Sequence, residues 1–182
     1  MTPDGASARP PSALDSNLIE PFIAELAGKS DLVWVQVSDQ AARPLWSVWH
    51  NNSIAIVTGG VEQPDPGLID GGTATVILRS KENRARQMSM TVAVQLASPE
   101  SERWDAAVRA LHPKRLNAPD GEEQPSRWAR ESQVWLLTPT DEVYERPGAQ
   151  ADQSHRAEPM ETEATTLTRK PFHAGRATKK RR

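Results

Sequence analysis

Between residues 32 and 139 the apolar positions recur mainly at every second residue. In "LVWVQVS" (32–38) Val33, Val35 and Val37 fall on one face and Trp34 and Gln36 on the other, the alternation of a half-buried strand. The same period runs through 44–50 and 53–58. The two-residue link between them, Asn51-Asn52, suits a type I′ turn because Asn tolerates a positive φ. "TATVILRS" (73–80) predicts a fourth strand. "MSMTVAVQL" predicts a fifth, with Met88, Met90, Val92, Val94 and Leu96 on one side, and "QVWLLTP" (133–139) a sixth.

The period lengthens in two places. Over 21–27, Pro21 suits a first helical position, Phe22, Ile23 and Leu26 share a face, and Gly28 suits the end. Ser98-Pro99-Glu100 then reads as a helix start, and Trp104, Val108 and Leu111 line one face of a helix ending near His112-Pro113. The stretch "KRLNAPDGEEQPSRWARES" shows no period and reads as a loop. Six strands with peripheral helices predict a mainly β fold, a small antiparallel barrel or sandwich. The ends differ from this middle. Residues 1–15 and 146–182 hold too little apolar surface to offset the entropy of ordering, so they read as a disordered leader and tail around a domain at 16–145.

Composition narrows the chemistry. The 182 residues include no cysteine, which excludes disulfides, thiolate metal sites and cysteine nucleophiles. No stretch approaches the roughly 18 apolar residues of a membrane span and the start lacks a signal-type apolar run, so a cytoplasmic location is expected. The net charge of −2 hides a gradient, since "RKPFHAGRATKKRR" (169–182) holds seven Lys or Arg and no acid. Such a tail predicts at most weak, salt-dependent and non-specific nucleic-acid contact. His50, His112, His155 and His173 form no metal-ligand spacing. There is no G-x-S-x-G elbow, G-x-G-x-x-G fingerprint or Walker loop, so hydrolase, Rossmann and P-loop chemistry are disfavoured.

"RPLWSVWHNNSIAIVTGG" (43–60), and an ending seen in Trp104, Leu111, Lys114 to Gly121, Arg127-Trp128 and Leu137 to Pro139, resemble the FMN-binding split-barrel superfamily over about residues 18–139. That superfamily includes pyridoxamine 5′-phosphate oxidases and the flavin- and deazaflavin-dependent oxidoreductases of actinobacteria. The resemblance implies a six-stranded antiparallel split β-barrel with short helices. It also implies a homodimer with FMN or a deazaflavin lying in each of two grooves between protomers. Carried over residue by residue, Trp46, Ser47 and Val48 would flank the ring system, and Thr58, Gly59 and Gly60 would lie near the phosphate. A glycine lets backbone N–H groups approach an anion, and a hydroxyl adds a donor.

The chain departs from the pattern just after the glycines. Where relatives place Lys or Arg to hold the phosphate, it reads Val61-Glu62-Gln63-Pro64-Asp65. Two acids there repel a phosphate, so cations must come from elsewhere: Arg79, Lys81, Arg84 and Arg86 in "LRSKENRAR", or Lys114 and Arg115 from a partner chain. Two readings follow. One is an FMN- or deazaflavin-dependent oxidoreductase whose cofactor does the chemistry, with no side chain assigned as acid or base. The other is a degenerate split barrel that keeps the dimer and binds or scaffolds without cofactor.

Overall fold

A computed structural model of the chain describes residues 16–116, 118 and 120–145. The leader 1–15 and the tail 146–182 with its basic end lie outside them. Helix α1 (Ser16–Lys29) precedes β1 (Leu32–Gln36), β2 (Arg43–Trp46), β3 (Val48–His50), β4 (Ser53–Thr58), β5 (Thr73–Arg79) and β6 (Arg86–Ala97). Then come α2 (Glu102–Leu111), 3-10 turns at His112–Lys114 and Gly121–Glu123, α3 (Gln124–Glu131) and β7 (Gln133–Glu145). All strand pairs are antiparallel, in the order β2-β1-β5-β6-β7-β4-β3.

The two ends of that order explain how the sheet closes. β2 pairs with β1 and β3 pairs with β4, yet only Ser47 separates β2 from β3. One continuous segment thus leaves one edge of the sheet and joins the other, making a nearly closed barrel. The expected single strand over 44–50 is broken at Ser47, so the strand count is seven and not six. Ser47 is buried, and its N–H, released from both ladders, donates to the Asp31 carbonyl at 3.2 Å.

The hairpin forms as the sequence predicts, with φ of 47° at Asn51 and 55° at Asn52. Inward-facing Val33, Val35, Leu45, Ile54, Ile56, Val76, Leu78, Met88, Met90, Val92, Val94 and Leu137 fill the barrel, and Ile23 and Ala27 of α1 close one side of it. Leu96 keeps the expected face, pairing with Trp135 two residues on from the Val94–Leu137 pair, but near the end of β6 it is 37% exposed. A second apolar cluster lies outside the barrel, where Trp104, Ala107, Val108 and Leu111 of α2 and Trp128 of α3 cover Ala55, Val57, Ala97 and Val134. This layer accounts for β4 being buried along its whole length.

Three helix boundaries differ from expectation. α1 starts five residues before Pro21, which lies inside the helix and leaves the carbonyl four residues earlier without its usual donor. The N-cap of α2 is Ser101, whose Oγ accepts from the Trp104 N–H at 3.2 Å, while Ser98 to Ser101 form a preceding turn. The expected loop before the last strand contains α3, anchored by Trp128, which is fully buried.

Candidate functional site

The site is built where β4 ends. Thr58 is fully buried and its Oγ1 accepts from the Trp135 indole N–H at 3.0 Å. Gly59 and Gly60 follow with φ of 82° and 59°, a conformation that side-chain-bearing residues resist. At Gly60 a Cβ would stand 3.0 Å from the Glu131 carbonyl oxygen, so the close approach to α3 also disfavours a side chain there. The Gly59 N–H donates to the Gln63 carbonyl and the Glu62 N–H donates to the Gly59 carbonyl, both at 3.0 Å. This reversal turns Glu62 and Gln63 back into the molecule.

Gln63 completes the ladder that β2 lacks on its open side. Its Oε1 accepts from the Trp46 N–H at 2.7 Å and its Nε2 donates to the Trp46 carbonyl at 2.8 Å. A side-chain amide has one donor and one acceptor pointing the same way, so it can stand in for a strand neighbour. Trp46 is thereby fixed at the seam of the barrel.

Glu62 has a side chain only 2% exposed and accepts three hydrogen bonds. The donors are Arg115 Nε at 2.9 Å, Arg127 Nη2 at 3.0 Å and Trp128 Nε1 at 3.0 Å. Burial alone pushes its pKa up, but the bonds from Trp128, Arg115 and Arg127 outweigh that and hold it below the ordinary carboxylate value. Arg127 also clasps Asp120 through two bonds of 2.6 and 3.1 Å. That clasp lowers the Asp120 pKa and raises that of Arg127. Asp65 is likewise structural, its Oδ1 accepting from the N–H groups of Gly67 at 2.8 Å and Leu68 at 2.9 Å. The two acids that looked hostile to a phosphate are thus engaged within the chain.

Beside this network lies a groove of about 510 Å³ lined by Trp46, Glu62 and Gln63, by Pro113 to Leu116 and by Asp31. Trp46, Pro113 and Leu116 are its apolar part, and Leu116 is 74% exposed. Arg115 is held by Glu62 and by the Leu116 carbonyl. Lys114 is exposed and makes no hydrogen bond or ion pair among the described residues. Among the described residues the groove therefore offers an aromatic wall, one uncommitted cation, Lys114, and one uncommitted carboxylate, Asp31.

Of the residues singled out from the sequence, Trp46 lines the groove. Ser47 beside it is buried in the wall, and Val48 packs under the helices with the outer cluster. Trp46 contacts that outer cluster whereas Trp49 packs on the barrel core, so the two tryptophans lie on opposite faces. Thr58, Gly59 and Gly60 form the turn that carries Glu62 and Gln63 to the groove. Arg79 places its guanidinium 4.6 Å over the Trp34 ring, and Lys81 is exposed in the turn after β5; neither lines the groove. Lys114 and Arg115 reach it from the same chain. The roles of Glu62 and Gln63 escaped the sequence because the donors to Glu62 stand 53 to 66 positions away.

No protein-family model matches the chain, and no curated protein matches it. Solved structures do. HutZ, the heme storage protein from Vibrio cholerae, superposes with a TM-score of 0.50 at 12% identity, over 69% of this chain and 92% of that one. The architecture the two share is a split barrel. A proposed 5-nitroimidazole antibiotic resistance protein from Bacteroides thetaiotaomicron gives a TM-score of 0.48 at 11% identity, over 68% of this chain and 81% of its own. The flavocytochrome Anf3 from Azotobacter vinelandii gives 0.42 at 12% identity, over 85% and 87%. The likeness to HutZ, at 12% identity, is one of fold. Among the described residues no helix is long and apolar enough to cross a membrane.

Proposed function

We propose that this split barrel binds a planar, anionic ring cofactor of the flavin or deazaflavin type in the groove beside Trp46. The observation that carries the reading is the pairing of an indole wall, locked by Gln63, with the uncommitted Lys114 ammonium. A flat apolar wall suits the ring, and a free cation at the rim suits its anionic chain. The phosphate cradle expected at Thr58 to Gly60 fits less well, since the Thr58 hydroxyl oxygen and the Gly59 N–H are engaged internally. Lys114 takes over that role here.

HutZ is a heme storage protein, which makes heme the natural competitor. Among the described residues the groove lining includes no His, Met, Cys or Tyr, so these offer heme iron no axial ligand of the usual kind. A bound flavin or deazaflavin would supply hydride or electron transfer, and the chain would orient it and exclude water. An oxidoreductase with a substrate still to be identified is the activity this supports. A homodimer belongs to the same reading, and Val61, 65% exposed next to Glu62, and Leu116 give it apolar surface near the groove.

The test is titration of the purified full chain with FMN, the deazaflavin and heme, followed by absorbance and by tryptophan quenching, with sedimentation for the dimer. FMN or deazaflavin uptake is expected to be lost in Trp46→Ala and weakened about tenfold in Lys114→Ala, the scale of one charge-assisted contact. Uptake of neither below about 1 mM, a binding energy of only about 4 kcal/mol, would leave the cofactor-free scaffold as the function. The internal engagement of the glycine turn is the observation favouring that second reading.

A further inference from the structure

A second hollow, of about 370 Å³, lies at the other end of β4, beside the Asn51-Asn52 turn, and it is polar where its surroundings are apolar. The reason can be traced along the outer face of the sheet. Register places Val48, Ala55, Leu136 and Gln95 in one row across β3, β4, β7 and β6, bordering the apolar layer under α2. One step further along the same face, His50 pairs with Ser53, the Ser53 and Thr138 hydroxyls share a bond of 2.8 Å, and Thr138 pairs with Ala93. Neighbouring strands are about 4.8 Å apart, so three polar heads stand within roughly 10 Å of one another. From α2, Arg103 and Ala106 border the same hollow, and Arg103 Nη1 donates to Gln95 Oε1 at 2.7 Å.

The donors and acceptors do not balance. Arg103 has five N–H donors and one is engaged by Gln95 Oε1, while the Gln95 NH2 keeps its own two donors. Of the two bonded hydroxyls one donates to the other, which leaves the second hydroxyl hydrogen free to point elsewhere. Asn51 adds an amide NH2, and the His50 ring borders the hollow, where its protonated form adds a donor; its Nε2 is shielded from solvent and has no partner among the described residues. Arg103 is the one charged side chain among the described residues lining the hollow; Asp105 of the same helix borders a different depression, with Trp104 and Arg109. A surplus of donors around a single cation matches a ligand that only accepts hydrogen bonds.

We propose that this hollow binds a small oxyanion, a carboxylate or a phosphate group, through Arg103, the Ser53–Thr138 hydroxyl pair and His50. The site is separate from the groove at Trp46 and shares no lining residue with it. Its ligand is a free small anion or the anionic end of a larger molecule entering over the hairpin.

The experiment is an NMR titration of the full chain at constant pH and ionic strength, with inorganic phosphate and with acetate replacing chloride, reading the His50 ring and the Asn51 side-chain amide. Saturable shifts at those two residues are expected with at least one anion at a dissociation constant of about 1 mM or below, and the stronger anion identifies phosphate or carboxylate as the ligand class. Arg103→Gln, at an exposed position, should weaken binding at least about tenfold, and Thr138→Val should weaken it as well. Because the two sites share no lining residue, the anion titration and the FMN titration of the parent chain are independent readouts, so failure here and failure of the cofactor groove are read separately. Shifts that stay linear with both anions, or saturable binding indifferent to Arg103→Gln, would overturn the proposal.

Discussion

Glu62 shows how one side chain changes meaning between sequence and fold. Beside a glycine pair it reads as a charge that repels phosphate; in the folded chain it is a nearly buried acceptor for two guanidinium groups and an indole. Replacing it by Gln keeps the shape but leaves Arg115 and Arg127 without their shared anion. Glu62→Gln is therefore expected to cost about 2–4 kcal/mol, seen as a lower urea midpoint at unchanged slope. Glu62→Lys would add a third cation to the cluster and should lower the midpoint further than Glu62→Gln does. Gly60 makes a second prediction at this scale. Its φ of 59°, and the 3.0 Å that would separate an added Cβ from the Glu131 carbonyl oxygen, both oppose a side chain. Gly60→Ala should destabilise by roughly 1–3 kcal/mol, whereas Gly71→Ala, with positive φ but open space around it, should cost about 1 kcal/mol.

At the scale of elements, what was legible follows from how much information stays local. Strands announce themselves through alternation within five to seven residues, and the Asn51-Asn52 turn through its own backbone needs, so both were readable. The break at Ser47 was not, because it arises where the segment changes partners, and partner choice is written in β1 and β4. α3 was missed for a related reason. With Trp128 and Ala129 its only apolar residues over eight positions, it has no period to detect, and Trp128 is buried by contacts with distant strands. The candidate site divides the same way: Trp46 and the glycine pair stood out, while the clamp from Gln63 to Trp46 joins residues 17 apart across the β3–β4 hairpin. That clamp predicts an outcome. Gln63→Ala strips the Trp46 N–H and carbonyl of partners at the seam, which should cost about 1–3 kcal/mol and speed amide exchange at Trp46 well beyond that of Val35 in the barrel core.

For the whole molecule, the barrel interior and the outer helical layer are joined by packing across β4 and β7, and the loop after β4 is tied to α3 and to the segment after α2 by Glu62. The ionic tie makes stability depend on pH in a definite direction. The folded pKa of Glu62 lies below its ordinary value of 4.5, and that of Asp120 below 3.8. A depressed carboxylate pKa contributes stability that is fully present above the unfolded value and is lost as pH falls through the folded one. The urea midpoint should therefore be insensitive to these groups near neutrality and begin to fall below about pH 4.5, as the unfolded chain takes up protons that the native chain still excludes. Glu62→Gln has no proton to bind at that position. Its midpoint, lower at pH 7, should decline less steeply in acid and converge on that of the parent chain. Parallel curves for the two proteins across the acid range would mean that the charge on Glu62 contributes nothing to holding the loop and helices to the barrel.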